Sequence, residues 1–268
     1  MNAILKYPGS KWKIADWIIS YFPTHKVYLE PFFGSGAIFF NKESSYIETI
    51  NDIDSNIVNL FEVCRQYPDE LSAAINLTPY SREEFAKCYE KSDNPIEQAR
   101  RTLVRYHQSF GTSNSTRKSW RNVQQFNGPR TATMWNYLPD TVIEVCERLK
   151  EAQIENTDAL TLIERYNDEN TLIYIDPPYL KSLRRRNMYH NEMSVKQHKD
   201  LLDLIKSSKA KIILSSYDNE LYNTELREWC TAETKAFAQF GKSRTEKLWM
   251  NFDSNLNLFH MQENSELI

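Results

Sequence analysis

The sequence predicts an α/β fold in which a mostly parallel sheet is covered by helices on both faces and interrupted by one long insertion. Three observations lead to that expectation. Short apolar strand patterns alternate with helical ones, as parallel sheets with crossover helices require. Three of the predicted strands run into Gly-, Asp- or Pro-containing segments, the kind of segment that gathers ligands at the carboxyl edge of such sheets. A polar stretch without periodicity, too long for an ordinary connection, lies between the second and third of these strand ends.

Taken in order, Lys13 to Phe22 reads as an amphipathic helix, with Ile14, Trp17, Ile18 and Tyr21 on one face and Pro23 just beyond. Val27-Tyr28-Leu29 is a short strand that runs into Glu30-Pro31-Phe32-Phe33-Gly34-Ser35-Gly36, and a helix is expected from there through Phe39 and Phe40. Tyr46 to Ile50 forms the next strand and ends in Asn51-Asp52-Ile53-Asp54. Asn56 to Tyr67 carries Ile57, Leu60, Phe61 and Cys64 at helical spacing, and helical patterns return over Ser81 to Glu90 and Pro95 to His107. Residues 110–133 interleave Phe110, Trp120 and Phe126 with polar residues and have no period, which reads as a functional loop or small insertion. After a helix near Thr141 to Ala152, the apolar strand ending at Ile175 meets Asp176-Pro177-Pro178-Tyr179. A helix over Val195 to Ser207, a strand over Lys211 to Ser215 and a helix over Asn219 to Cys230 follow. Two last strands, around Glu233 to Phe240 and Glu246 to Phe252, have no helix between them and so predict an antiparallel hairpin at one edge.

The 268 residues are 41% hydrophobic and 26% charged, an ordinary globular composition. No apolar run approaches the ~20 residues needed to span a bilayer, and no signal-peptide pattern opens the chain, so a protein that stays in the cytoplasm is expected. Cys64, Cys88, Cys146 and Cys230 form no paired motif, and the histidines lack metal-ligand spacing, so neither a disulfide framework nor a metal is expected. The net charge of −3 hides a segregation. From Gln98 to Pro139 there is no Asp or Glu, but there are Arg100, Arg101, Arg105, Arg117, Lys118, Arg121 and Arg130. A second acid-free stretch, Pro177 to Asn191, carries Lys181, Arg184, Arg185 and Arg186. Such clustering builds a local positive face on a nearly neutral protein.

The three strand ends carry the chemistry. Glycines in the Glu30–Gly36 turn let a ligand approach the backbone, although a plain tight turn explains them equally well. Of the two acids in the next segment, Asp52 stands where ribose hydroxyls are bound in nucleotide folds, and Asp54 stands where a helix N-cap belongs. In Asp176-Pro177-Pro178-Tyr179, the prolines end the strand and fix the chain direction. A carboxylate, ionised at neutral pH with an ordinary pKa of ~3.9, and a proline carbonyl together suit the protons of an aromatic amine such as adenine's, whose lone pair they draw outward. Tyr179 offers a ring on which an extruded base can stack, worth ~1–3 kcal/mol in related contexts.

The ordered set Lys6-Tyr7-Pro8-Gly9-Ser10-Lys11, Glu30 to Gly36, Asn51 to Asp54 and Asp176 to Tyr179 resembles the D12-class DNA adenine methylase family, over the first 60 residues and about 171–217. The resemblance implies a Rossmann-like S-adenosylmethionine-dependent methyltransferase sheet with an inserted, mainly helical and loop, target-recognition region. It divides the chain into a catalytic domain (1–75 and 150–268) and an insertion (76–149). It implies that Tyr7, Lys11, Glu30, Phe32, Gly34, Ser35, Gly36, Asp52 and Asp176 hold the cofactor and that Asp176, Pro177, Pro178 and Tyr179 form the catalytic loop. Tyr7 replaces a usual Trp, Ser10 a usual Gly and Asp54 a common Asn. The partner implied is double-stranded DNA, in a bacterial or phage-infected cell and with room for a companion restriction endonuclease.

Spacing supports the insertion independently. Gly34 and Asp176 are 142 positions apart, whereas three βα units at ~30 residues use roughly 90. The surplus contains the acid-free window, and Arg117, Lys118, Trp120, Arg121 and Arg130 there, with Lys181, Arg184, Arg185 and Arg186 after the catalytic loop, are the candidate DNA contacts. A solvated basic surface with Trp120 in a small core is the alternative. Methylation of RNA, of protein glutamine or of cytosine, and a non-catalytic DNA-binding module, are rival readings of the whole chain.

Overall fold

The computed structural model describes residues 1–110, 119–122, 130–183, 191–237 and 243–253. Its centre is a seven-stranded sheet: β1 (Val27–Glu30), β2 (Ile47–Asn51), β3 (Ala152–Glu155), β4 (Thr171–Ile175), β5 (Lys211–Tyr217), β6 (Cys230–Phe237) and β7 (Ser243–Met250). The strand order is β3-β2-β1-β4-β5-β7-β6. The first five are parallel, and β7 enters antiparallel between β5 and β6. This is the Rossmann-like order 3-2-1-4-5 with a hairpin at its edge, and the order reverses between β1 and β4.

Ten helices are described: α1 (Ala15–Ile19), α2 (Ser55–Gln66), α3 (Pro68–Asn76), α4 (Arg82–Lys87), α5 (Pro95–Gln108), α6 (Thr131–Trp135), α7 (Leu138–Leu149), α8 (Ala159–Arg165), α9 (Val195–Lys206) and α10 (Glu220–Glu225). They sit on both faces because the strands alternate. Tyr28, Leu172, Tyr174, Ile213, Leu248 and Met250 point into one core, shared with α2, α3, α5 and α7. Leu29, Ile173, Ile175, Ile212, Leu214 and Trp249 point into the other, under α8, α9 and α10. The helices between β2 and β3 therefore share a hydrophobic core with the sheet, and α7 leads straight into β3.

Three expectations are corrected by the structure. The helix expected through Phe39 and Phe40 is a run of turns, with Gly36 and Phe40, and Ile38 and Lys42, joined by single hydrogen bonds of 2.9 Å. Phe33, Phe39 and Phe40 are all buried against one another and Phe33 and Phe40 also against Phe61, a clustering that a regular helix, fanning successive side chains apart, does not provide. The helix expected over Asn219 to Cys230 stops at Glu225, and the helix over Lys13 to Phe22 shrinks to the five residues of α1, flanked by hydrogen-bonded turns. Four of these elements escaped the sequence reading: α3, which Pro68 starts at a position that tolerates it, the five-residue α6, the short β3, and α8.

Candidate active site at the carboxyl edge of the sheet

The loops that follow β1, β2, β3 and β4 converge on one cleft of about 440 Å³, at the point where the strand order reverses. Asn51, buried at the end of β2, ties three of them together: its amide donates to the Pro31 carbonyl (2.9 Å) and the Thr157 carbonyl (3.1 Å) and accepts from the Thr157 amide (2.9 Å). The sequence reading passed over this residue in favour of its neighbours.

Gly34 has φ +51°, a left-handed conformation, and a Cβ there would lie 2.9 Å from the Tyr7 ring. The glycine thus lets the segment around Tyr7 close over the turn, where Ser10 and Ser35 share a hydrogen bond of 2.9 Å. Tyr7 itself stacks on Tyr106 of α5, with centroids 5.6 Å apart. Asp52 braces the turn by accepting from the Gly34 amide (2.9 Å) and the Asp54 amide (2.9 Å). Burial pushes its carboxyl up to about 6, against the pull of those two amides. Asp54 caps α2 by accepting from the Asn56 amide at 3.0 Å, as expected for that acid. Glu30, also buried and lining the cleft, accepts from the Tyr28 hydroxyl (2.7 Å) and the Phe39 amide (3.2 Å), and burial raises it to about 8.

Asp176 leaves the end of β4 and lines the same cleft as Gly34 and Asp52, with its side chain 20% exposed. Lys11 spans its two oxygens at 2.8 and 2.7 Å. Lys11 is buried, donates also to the Gly9 carbonyl (3.1 Å) and the Tyr179 hydroxyl, and lies 3.5 Å from Glu246. Glu246, buried on β7, accepts from Tyr179 (3.0 Å) and Ser215 (2.7 Å). One ammonium therefore sits between two carboxylates. Burial lifts the Asp176 carboxyl, Lys11 pulls it back and Glu246 lifts it again, leaving it at about 6. Lys11 is held above the usual lysine range because the two acids outweigh its burial.

Pro178 lines the cleft, whereas Tyr179 does not present an open ring. It is 3% exposed, 4.5 Å from the Tyr217 ring, with the Lys11 ammonium 4.8 Å from its own centroid. A base can stack on Tyr179 only if one of these neighbours yields. Phe32, Ser35, Leu160 and Met193 complete the nearer walls, and Asp158, the N-cap of α8, stands at the rim. The sequence reading missed Asp158 and Glu246. The first had a signal, a capping acid before the apolar spacing of Ala159, Leu162 and Ile163; the second had none, since Glu246 stands among Arg244, Thr245 and Lys247 in the polar half of its strand.

The candidate DNA contacts are less gathered. Arg117, Lys118, Arg184, Arg185 and Arg186 lie outside the described residues. Trp120 is half-buried, between the Tyr80 ring (5.7 Å) and the Arg82 guanidinium (4.9 Å), and its Nε1 donates to Gln108 at 3.2 Å, which makes it a packing residue in this conformation. Arg121 is half-buried near Lys6, whose ammonium is held low by burial and by that guanidinium. Arg130 and Lys181 are exposed. Arg100 and Arg101 drop out of the basic face, because Arg100 is paired with Glu84 and Glu97 and Arg101 with Glu97, all at 2.7 Å. The acids that neutralise them lie just before the acid-free window.

Among the described residues no helix is long and apolar enough to cross a membrane, and no group of His, Cys, Asp and Glu could hold a metal ion. The model of the family described as D12 class N6 adenine-specific DNA methyltransferase matches residues 7–237. The chain is similar to the DNA adenine methylase of Haemophilus influenzae, 27% identical over 240 residues covering 82% of each chain. It is 28% identical over 252 residues to that of Salmonella typhi (85% of this chain, 84% of the other), and 27% identical over 248 residues to that of Escherichia coli K12, with the same coverage. The match over most of the chain, on a sheet whose glycine turn and Asp-Pro-Pro-Tyr loop face one cleft, makes this protein a member of the D12 class of adenine-specific DNA methyltransferases, an enzyme that methylates adenine in DNA.

Proposed function

We propose that the enzyme transfers a methyl group from S-adenosylmethionine to the exocyclic 6-amino group of an adenine that has been flipped out of duplex DNA into the Asp176–Tyr179 loop. The observation that carries this reading is the common cleft: the catalytic carboxylate and the glycine turn line one cavity.

The cleft fits the donor. Its volume lies in the ~300–1,000 Å³ range of small-molecule sites, and the Gly34 turn that Asp52 braces lines it. Asp52 and Asp158 are acceptors for hydroxyl and amino groups, and Phe32, Leu160 and Met193 are apolar walls for a purine. When bound, S-adenosylmethionine supplies a methyl group already activated on a sulfonium. Tyr7, Lys11, Glu30, Ser35 and Gly36 complete the cofactor side of this reading.

Asp176 and the proline carbonyl beside it accept the amine protons and orient the nitrogen lone pair toward the methyl carbon. Bound there, the donor would give up its methyl group to that nitrogen and keep the electron pair of its C–S bond on sulfur. The methylated nitrogen sheds one proton, and the Asp176 carboxylate is the acceptor already in place. Flipping exposes the base to this geometry, as chemistry on a stacked base requires.

DNA lies in this reading across the insertion at 76–149, with the remainder of the chain as the catalytic domain. Arg117, Lys118, Arg121 and Arg130 contact phosphates or bases on one side and Lys181 and Arg184 to Arg186 on the other, with Trp120 reaching the duplex after repacking. The exposure of Arg130 and Lys181 supports this arrangement, and the cytoplasm of a bacterial or phage-infected cell is its setting.

The test is methyl transfer from labelled S-adenosylmethionine to duplex DNA, followed by digestion to nucleosides. Label in N6-methyladenosine's deoxy form is expected. Label confined to methylated cytosine, RNA or protein would overturn the reading.

A further inference from the structure

We propose that Glu246 is a positioning residue for methyl transfer, a second carboxylate onto which the Lys11 ammonium moves when the target amine takes its place on Asp176. The inference rests on the reading of Asp176 as the amine acceptor.

Three facts lead to it. Both Asp176 oxygens are bonded to Lys11 in this structure, so the carboxylate that must accept an amine is already engaged by a cation. Lys11 is 4% exposed, so water cannot take over its bonds, and an ammonium stripped of its carboxylate there needs a new partner. Glu246 supplies one at 3.5 Å, is 2% exposed, and is held in place by Ser215 and by Tyr179 of the catalytic loop. A small shift of Nζ from Asp176 toward Glu246 keeps the charge paired, and Tyr179, bonded to both Lys11 and Glu246, links that shift to the catalytic loop.

The electrostatic consequence has a definite sign. The groups facing Asp176 are Lys11, Glu30 at the end of β1, Tyr174 on β4, Tyr217 on β5, Tyr222 on α10 and Glu246 on β7. Only the ionised form of Asp176 accepts the amine, so the methylation rate falls as pH drops through its pKa. Removing the Glu246 charge takes away a repulsion and leaves Lys11 to Asp176 alone, and both changes favour the ionised carboxylate.

The experiment is the pH dependence of single-turnover methylation of duplex DNA by the wild-type enzyme and by Glu246→Gln, Glu246→Asp, Lys11→Gln and the Lys11→Gln/Glu246→Gln double variant. In Glu246→Gln the acidic limb moves to lower pH and the plateau falls about tenfold, because Lys11 now competes with the amine. Glu246→Asp restores the limb. Lys11→Gln moves it to higher pH, and adding Glu246→Gln moves it back, which keeps the test open should the first variant fold poorly. A limb that Glu246→Gln leaves in place, with the rate lowered equally at every pH, would overturn the role of Glu246. Full turnover in Asp176→Ala would instead sink the reading on which it rests.

Discussion

Two buried ion clusters stand in different parts of the molecule, and they solve the same problem differently. In the first, Glu48 of β2 is shared by two cations: Lys42, and Arg148 of α7 at 2.5 and 2.9 Å, with the Ser45 amide at 3.0 Å. Burial alone would raise the Glu48 carboxyl, but Arg148 and Lys42 outweigh it and hold it below the usual range. In the second, Lys11 is shared by two carboxylates, and Asp176 is left at about 6 with an edge open to the cleft. A carboxylate with more than its share of positive partners holds a fold together. One with less than its share, next to a cavity, is available to a substrate.

That contrast can be broken or sharpened by experiment. The largest expected effect on the fold is at the closed cluster: Glu48→Gln leaves the buried Lys42 and the half-buried Arg148 short of charge and should cost about 3–5 kcal/mol of stability in denaturant unfolding. The methylation rate of the folded variant should not change, and a slowed reaction with unchanged stability would show that the closed cluster also serves catalysis. A smaller effect is expected on the cofactor side of the cleft. Gly34→Ala must hold a left-handed backbone with its Cβ against Tyr7, so S-adenosylmethionine binding by calorimetry should weaken roughly tenfold. Unchanged binding would remove the turn from the cofactor site. Smallest is Arg121→Ala, which should lower the salt slope of DNA binding by about 1; an unaltered slope means that its charge meets no phosphate.

Much of this was legible in the sequence, for physical reasons that differ along the chain. The strands β1, β4 and β5 were readable because burial on both faces demands apolar runs, β2 through its β-branched Ile47, Thr49 and Ile50, and the loops that end β1, β2 and β4 because Gly, Asp and Pro mark them. β3 is only four residues, Ala152 to Glu155, at the sheet edge and half polar, so it left no such run. The turns around Phe39 and Phe40 defeated a helix reading because the order of residues in a short aromatic run cannot report that Phe33, Phe39 and Phe40 all turn inward. Asp176 was visible through its neighbours in sequence, whereas its partners Lys11 and Glu246 are 165 and 70 positions away and meet it only through the sheet order. Arg100 and Arg101 show the same limit from the other side, since a count of charge along the chain cannot see the acids folded against them.

The assignment at stake is that Asp176 acts on the amine, with at most a minor share in the donor contact that the resemblance also implies for it. Asp176→Ala, with S-adenosylmethionine affinity and single-turnover methylation measured on one preparation, addresses it directly. Donor binding is expected within about twofold of wild type, with methyl transfer slower by at least ~10²–10³-fold. Turnover close to wild type, or loss of donor binding in step with activity, would contradict it.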